Sequence, residues 1–240
     1  MEKLYIKSPY LKEYNIKIDQ VRNINNHVYA KLTEDAVFLG TNRVEGDIFT
    51  VDNKPCNFYK PFGKEYVEVS DSDQKFVNIK IDWSNRLLLM QENLALAILR
   101  TYIRLTTNFG IEKYKVSTKG SYIDLLTPDI SFKCLSDLEE LTNYIITANL
   151  TVTNNDSSIN IDSLGEIDYE GPCLKRTGEI GFAIILGVEK TINGIRINVA
   201  SGKLAYKYYK EKINLINNIK NYLNVKTDNQ IFSTIKKLKS

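Results

Sequence analysis

The first 80 residues carry a period of two. Residues 14–21 alternate apolar and polar side chains, and residues 27–32 do the same, as strands with one buried face do. Residues 47–51 and 66–69 read as further short strands. Turn formers separate them: Asn25-Asn26, Glu45-Gly46 and Asp52-Asn53. Strands this short, at this spacing, predict a small barrel or sandwich. At Trp83 the period changes. Ser84 is of N-cap type, residues 85–107 contain neither Gly nor Pro, and Leu87, Leu94, Ile98, Tyr102 and Leu105 fall on one helical stripe. A long helix is expected there.

Beyond that helix the period switches repeatedly. Residues 113–116 and 121–125 predict a strand pair joined at Lys119-Gly120. Ser136, with Glu139 three residues on, has the form of a capping box, so a second helix is expected from there to about Asn149. Thr151-Val152 opens an extended stretch, and the polar residues 154–158 read as a loop. Residues 180–189 and 194–200 predict a hairpin turning at residues 191–194. A last long helix is expected over residues 203–223, with Thr227 capping a short terminal one. The sum is an α+β chain. Its boundaries are set by the change of period: a β-barrel-like domain over 1–80, an α+β domain over 81–202 with two long helices on an antiparallel sheet, and a helical segment over 203–240.

Composition changes this picture in three ways. The chain has 240 residues, 43% hydrophobic and 25% charged. These are ordinary globular fractions, which exclude a disordered tail, a collagen-like repeat or a disulfide-dense scaffold. Three widely spaced cysteines, Cys56, Cys134 and Cys173, and an opening without a basic stretch followed by an apolar core, predict a reducing cytoplasm and no membrane segment. There is one histidine, His27, so a site needing several imidazoles from this chain is excluded. Net charge is only +3, but it is uneven. From Lys203 onward nine lysines face Glu211 and Asp228, an excess of about +7. Such a segment is either a nucleic-acid footprint or a solvated helix face.

Several stretches together resemble one family. The helix opening IDWSNRLLLMQENLALAIL (81–99) is similar to the first helix of the AlaX alanyl-tRNA editing proteins and of the editing domain of alanyl-tRNA synthetase. SYIDL (121–125) and LSDLEELTNYII (135–146) resemble that family's strand and second helix. GPC (171–173), TGEIG (177–181) and RINVASG (196–202) resemble its closing section. LYIKSPYLKEY (4–14) resembles the start of the β-domain in its longer forms. The resemblance covers nearly the whole chain. It implies a hydrolase of Ser-tRNA(Ala) or Gly-tRNA(Ala) that works through zinc, held by two histidines four apart on the first helix and by a Cys and a His four apart on a later loop.

Residues i and i+4 share a helix face, so paired imidazoles there can point at one ion. In this chain the matching helix positions are Asn93 and Ala97. In the loop Cys173 remains, but the four residues that end in His are missing, and Leu174 runs straight into Lys175 and Arg176. Three of four ligands are gone. The family's glycine-rich N-terminal motif is replaced by VFLGTNRVEG (37–46). The resemblance thus implies zinc for the family but no zinc, no cofactor and no catalytic residue here.

Individual residues keep two readings each. Cys173 is a leftover ligand or a small buried apolar residue, and the second is preferred. With a shifted loop, Cys134 would approach it. Glu92, beside Gln91 and Asn93 at the pocket rim, is a general base or an exposed solvating carboxylate. Trp83 is a core or interface residue, and His27 a surface or hydrogen-bonded one. Lys175 and Arg176 meet the phosphates or ribose of a tRNA end, or simply solvate a loop. Lys203, Lys207 and Lys210 share one helix face and are candidates for contact with tRNA backbone. Tyr206 and Tyr209 pack inward or at a subunit contact, which keeps a homodimer open. The leading expectation is a tRNA- or aminoacyl-tRNA-binding relative without the inherited reaction. The alternatives are a metal-independent aminoacyl-tRNA deacylase, or an accessory scaffold that uses the old cleft for another small ligand.

Overall fold

The chain begins with β1 (Glu2–Lys3), a single helical turn α1 (Leu4–Lys7), and the long strand β2 (Glu13–Ile24). The computed structural model describes residues 2–25, 27–56, 58–59 and 66–239, so Asn26 of the expected first turn lies outside the described residues. Tyr14 and Ile16 of β2 point inward between exposed neighbours, as their alternation requires. β3 (His27–Leu32) returns antiparallel, and β4 (Glu34–Asp35) pairs in parallel with β1. β5 (Phe49–Val51), β6 (Lys54–Pro55), β7 (Phe58–Tyr59), β8 (Tyr66–Val69) and β9 (Phe76–Ile81) complete an antiparallel sheet of order β6-β5-β9-β2-β3-β8-β7, curled as a half-barrel. Its concave side holds Ile16, Ala30, Leu32, Val51, Val67, Val77 and Ile79. β9 was not singled out from sequence, although Val77, Ile79 and Ile81 alternate cleanly.

The expected long helix is α2 (Trp83–Thr106), capped by the Asp82 side chain rather than by Ser84. Both residues are cap types. Asp82 wins because its carboxylate accepts the Asn85 amide at 3.1 Å. The helix is buried on opposite faces. Leu89, Leu96, Leu99 and Ile103 pack on a four-stranded antiparallel sheet of β10 (Gly110–Lys115), β11 (Ser121–Leu126), β16 (Ile195–Ser201) and β15 (Ala183–Lys190), in that order. Met90, Leu94, Ala97 and Ile98 face the other way, against α3 (Phe132–Ala148) and a meander of β12 (Val152–Asn154), β13 (Ser158–Ile161) and β14 (Gly165–Asp168). A helix enclosed like this buries side chains on more than one face, polar ones among them. Leu105 corrects the expected stripe: it is exposed near the end of the helix.

The second helix also starts earlier than expected. Ser131, not Ser136, is the cap, and its hydroxyl accepts the Cys134 amide at 3.2 Å. Ser136 lies inside the helix beside Glu140. The extended stretch expected at Val152 is β12, but both ends of the expected 154–158 loop, Asn154 and Ser158, already belong to strands. The last two helices are α4 (Gly202–Leu223) and α5 (Asp228–Lys239). Only the first turns of α4 are buried, through Leu204 and Ala205. Tyr206 and Tyr209 are exposed, which corrects the inward-packing option. No helix of the described residues is long and apolar enough to cross a membrane.

Candidate functional site

Four polar side chains of α2 are buried: Arg86, Glu92, Asn93 and Arg100. A buried polar group must be partnered or it costs folding energy. Each of the four grips a different segment, and together they organise the site.

Asn93 and Arg100 lie two turns apart on one face of α2. The Asn93 amide donates to the Glu170 carbonyl at 2.8 Å, and Arg100 Nη2 donates to the Asp168 carbonyl at 2.9 Å. The chain leaving β14 is thereby laid along the helix. Gly171 follows with φ +96° and its Cα against the Phe38 ring, where a Cβ would come within 2.9 Å of the ring. Tyr169 and Cys173 then enter the core. The Tyr169 hydroxyl is in hydrogen-bonding reach of Asn93 and Cys173, and donates to the Pro172 carbonyl at 3.2 Å. Ala97 packs in the same cluster.

Asn93, Ala97 and Cys173 therefore do converge, on a side chain that the sequence reading missed. Tyr169 links Asn93 and Cys173, with Ala97 in the same core cluster. Its signal was weak: a single tyrosine among polar residues, buried only because the meander turns it under the helix.

The donor set at this point does not fit zinc. The Asn93 amide is spent on a carbonyl, Ala97 offers a methyl group, and burial pushes the Cys173 thiol up to about 12. A thiol held neutral is a poor metal ligand and a poor nucleophile. Burial also raises the Tyr169 phenol. Among the described residues no group of three or more His, Cys, Asp or Glu side chains is arranged to hold a metal ion. Cys134 packs in the opposite core cluster, against the sheet, so the shifted-loop alternative of a Cys134–Cys173 pair is corrected.

The rim is built by Tyr10 and Glu179, which the sequence reading also passed over. The Tyr10 hydroxyl accepts the Lys175 amide at 2.7 Å and donates to the Glu179 carboxylate at 2.8 Å. Glu179 belongs to the 3-10 turn Thr177–Ile180 and also accepts the Arg176 amide at 3.0 Å. Arg176 Nη2 donates to the Asn149 carbonyl at the end of α3, 2.6 Å away. Lys175 Nζ stands 5.6 Å from the Tyr10 ring centre. Both Lys175 and Arg176 are exposed. Trp83 packs beside Tyr10, with ring centres 6.0 Å apart.

Glu92 corrects the reading of an exposed carboxylate. It is 1% exposed and reaches Ser201 at the end of β16. Its Oε1 accepts the Ser201 amide at 2.5 Å and the Ser201 hydroxyl at 3.0 Å, while Oε2 has no hydrogen-bond partner among the described residues. Burial raises it to about 7, and the Ser121 and Ser201 hydroxyls and the Ser201 amide pull it only partway back. Cut off from solvent, it cannot deprotonate a water at the rim.

Lys203, Lys207 and Lys210 are exposed on one face of α4, as their spacing requires. His27 lies elsewhere, on the half-barrel, with Nδ1 2.6 Å from Glu68. Compared with known proteins, the chain matches no protein-family model and no curated protein.

Proposed function

We propose that this chain is a relative of the AlaX alanyl-tRNA editing proteins that has lost the zinc chemistry and retains tRNA or aminoacyl-tRNA binding. The proposed architecture is a β-barrel-like domain over 1–80, an editing-like domain over 81–202 and a basic helical segment over 203–240, working in the cytoplasm. The observation that carries the reading is the meeting of Asn93, Ala97 and Cys173. Cys173, distant in sequence from the helical turn that carries Asn93 and Ala97, lies in one core cluster with Ala97 and reaches Tyr169 as Asn93 does. The lysine face of α4 and the Lys175-Arg176 rim supply the positive charge that acceptor-stem phosphates need. A gel shift with total tRNA at two salt concentrations tests the binding. A complex that weakens steeply with salt is the expected result, and no complex at low salt removes nucleic acid from the reading.

The rival is a metal-independent deacylase, in which the Tyr10–Glu179 pair at the rim positions a water. Hydrolysis of Ser-tRNA(Ala), with and without a chelator, separates the two. No turnover agrees with the binding protein, and chelator-resistant turnover with the rival. Chelator-sensitive turnover, or stoichiometric zinc in the purified protein, sinks both. An accessory scaffold is the third reading. It extends to a homodimer through the exposed Tyr206, Tyr209 and Tyr222 of α4, which light scattering of the pure chain would reveal.

A further inference from the structure

Arg100 has hydrogen-bonding capacity that the fold leaves unused. Its side chain is 1% exposed, and of its three nitrogens only Nη2 donates, to the Asp168 carbonyl. Nε and Nη1 have no hydrogen-bond partner among the described residues. The nearest carboxylate, Asp168, is 4.0 Å from Nη1 and is engaged by Arg43 at 3.2 Å. The guanidinium carbon Cζ lies 3.8 Å from the centre of the Tyr114 ring, which compensates part of the charge. A cation taken out of water with two donors idle is costly unless something answers it.

What lies in front of it is a pocket of about 390 Å³ between the C-terminal half of α2, β10 and the 42–43 loop. Arg43, Arg104, Lys113 and Lys115 line it together with Arg100. Two carboxylates share the lining, and both are occupied: Asp168 as described, and Glu112 by the Asn193 amide at 2.5 Å. Lys113 leans to Asp124 at 3.5 Å, whose carboxylate already takes both arms of Arg196. Lys115 donates to the Asn42 carbonyl, and neither it nor Arg104 has a carboxylate partner among the described residues.

The five cations of the lining outnumber its two carboxylates, although Arg43 also stands 3.6 Å from Glu170, and this excess suits a multiply charged oxyanion. Guanidinium forks suit phosphate oxygens in particular, because their parallel donors match two oxygens at once. We infer that this pocket binds a phosphate group, to which Arg100 offers a donor that the fold leaves unused. The shared chemistry is a phosphate ester or free phosphate. A polynucleotide backbone and a mononucleotide are its two sources. The inference does not depend on the proposed function, since a pocket filled by a small phosphate leaves it intact.

The test titrates the full chain with inorganic phosphate, with AMP and with total tRNA, following the Arg Nε–H resonances and the heat of binding. Saturable binding of phosphate or AMP is expected, with one buried Arg Nε–H shifting on addition. Arg100→Met should weaken it by about tenfold or more, as the loss of charge-assisted hydrogen bonds does. Because Arg100→Met removes a buried side chain, Lys115→Ala, at a half-buried position on the pocket wall, serves as the second variant, and it should weaken binding roughly threefold without changing the fold. Competition between tRNA and phosphate assigns the site to a nucleic-acid backbone. Binding of AMP with no effect of tRNA assigns it to a small phosphate ester. The inference is overturned if none of the three probes binds, or if binding is unchanged in Lys115→Ala and in a folded Arg100→Met.

Discussion

Replacing Glu92 by Gln should make the protein more stable at alkaline pH and not at acid pH. The carboxyl is buried under the start of α4, and its pKa stands near 7 instead of 4.5. The folded state therefore holds the proton more tightly than the unfolded chain does. Stability from this group is fully present below pH 4.5 and is lost as pH rises from there through 7. The whole loss is about 3 kcal/mol, the free energy that separates the two titration points. Gln keeps the Oε1 acceptor for the Ser201 amide and hydroxyl and is neutral at every pH. It adds N–H donors where Oε2 now has no partner, and one left unsatisfied costs about 1 kcal/mol.

The variant should thus be about 1 kcal/mol less stable than the parent at pH 4.5 and about 2 kcal/mol more stable at pH 8, from the same two costs. Urea unfolding at pH 4.5, 6 and 8 reads the difference directly. In melting temperature the swing is roughly 6–12 °C for a chain of this size. A difference that stays constant across the three pH values would refute the reasoning, because it would mean that the carboxyl titrates alike in both states.

Two further outcomes follow from burial and capping. Cys173 should resist a thiol reagent at pH 8 in the native protein and react once urea unfolds it, while the half-buried Cys56 and Cys134 react first; peptide mass spectrometry assigns the labels. Ser131→Ala should cost about 1 kcal/mol by removing the cap of α3, whereas Ser136→Ala, inside the helix, should be near neutral, with thermal melts of the two single variants deciding which serine is the cap.

What could be read from the sequence follows from where the signal is local. Residues 85–103 supply apolar side chains to two faces of α2, and a long run without Gly or Pro marked the helix. Its partner α3 was misplaced at the start because Phe132 is 85% exposed, and no apolar pattern marks the first turn. Ser136 and Glu139 imitated a capping box in the helix interior. The strands β13 and β14 escaped because each has only four residues, too few for alternation to stand out. The site divides in the same way. Asn93, Ala97 and Cys173 were found by resemblance, which carries long-range proximity that no local pattern holds. Tyr169, Tyr10 and Glu179 were missed because their roles come from tertiary contact. Arg100 did leave a trace: it is a charge within an apolar helix, seven residues from Asn93 and on its face.

The change of period near residue 80 suggests a seam, but chemistry crosses it. Arg86, in the first turns of α2, is fully buried and donates to the Asp47 carboxylate through both Nε and Nη2, to the Ala36 carbonyl at 3.0 Å and to the Tyr14 hydroxyl at 3.4 Å. Asp47 in turn accepts the Phe38 amide at 2.7 Å. Gly40 and Gly46 bring the two arms of the 38–47 loop together, where a Cβ on either would collide with the opposite backbone. One buried ion pair thus fastens the half-barrel, this loop and the central helix. Asp47→Ala leaves the guanidinium in the core without its counter-charge and should cost about 3–5 kcal/mol. Arg86→Met should cost a similar amount for the mirrored reason. The double variant removes both charges, so it should be less unstable than the two single losses added, by at least about 1 kcal/mol. Urea unfolding of all four chains closes the cycle. Strict additivity would mean that the two groups do not meet in the folded protein, and that the half-barrel and the helix are not joined there.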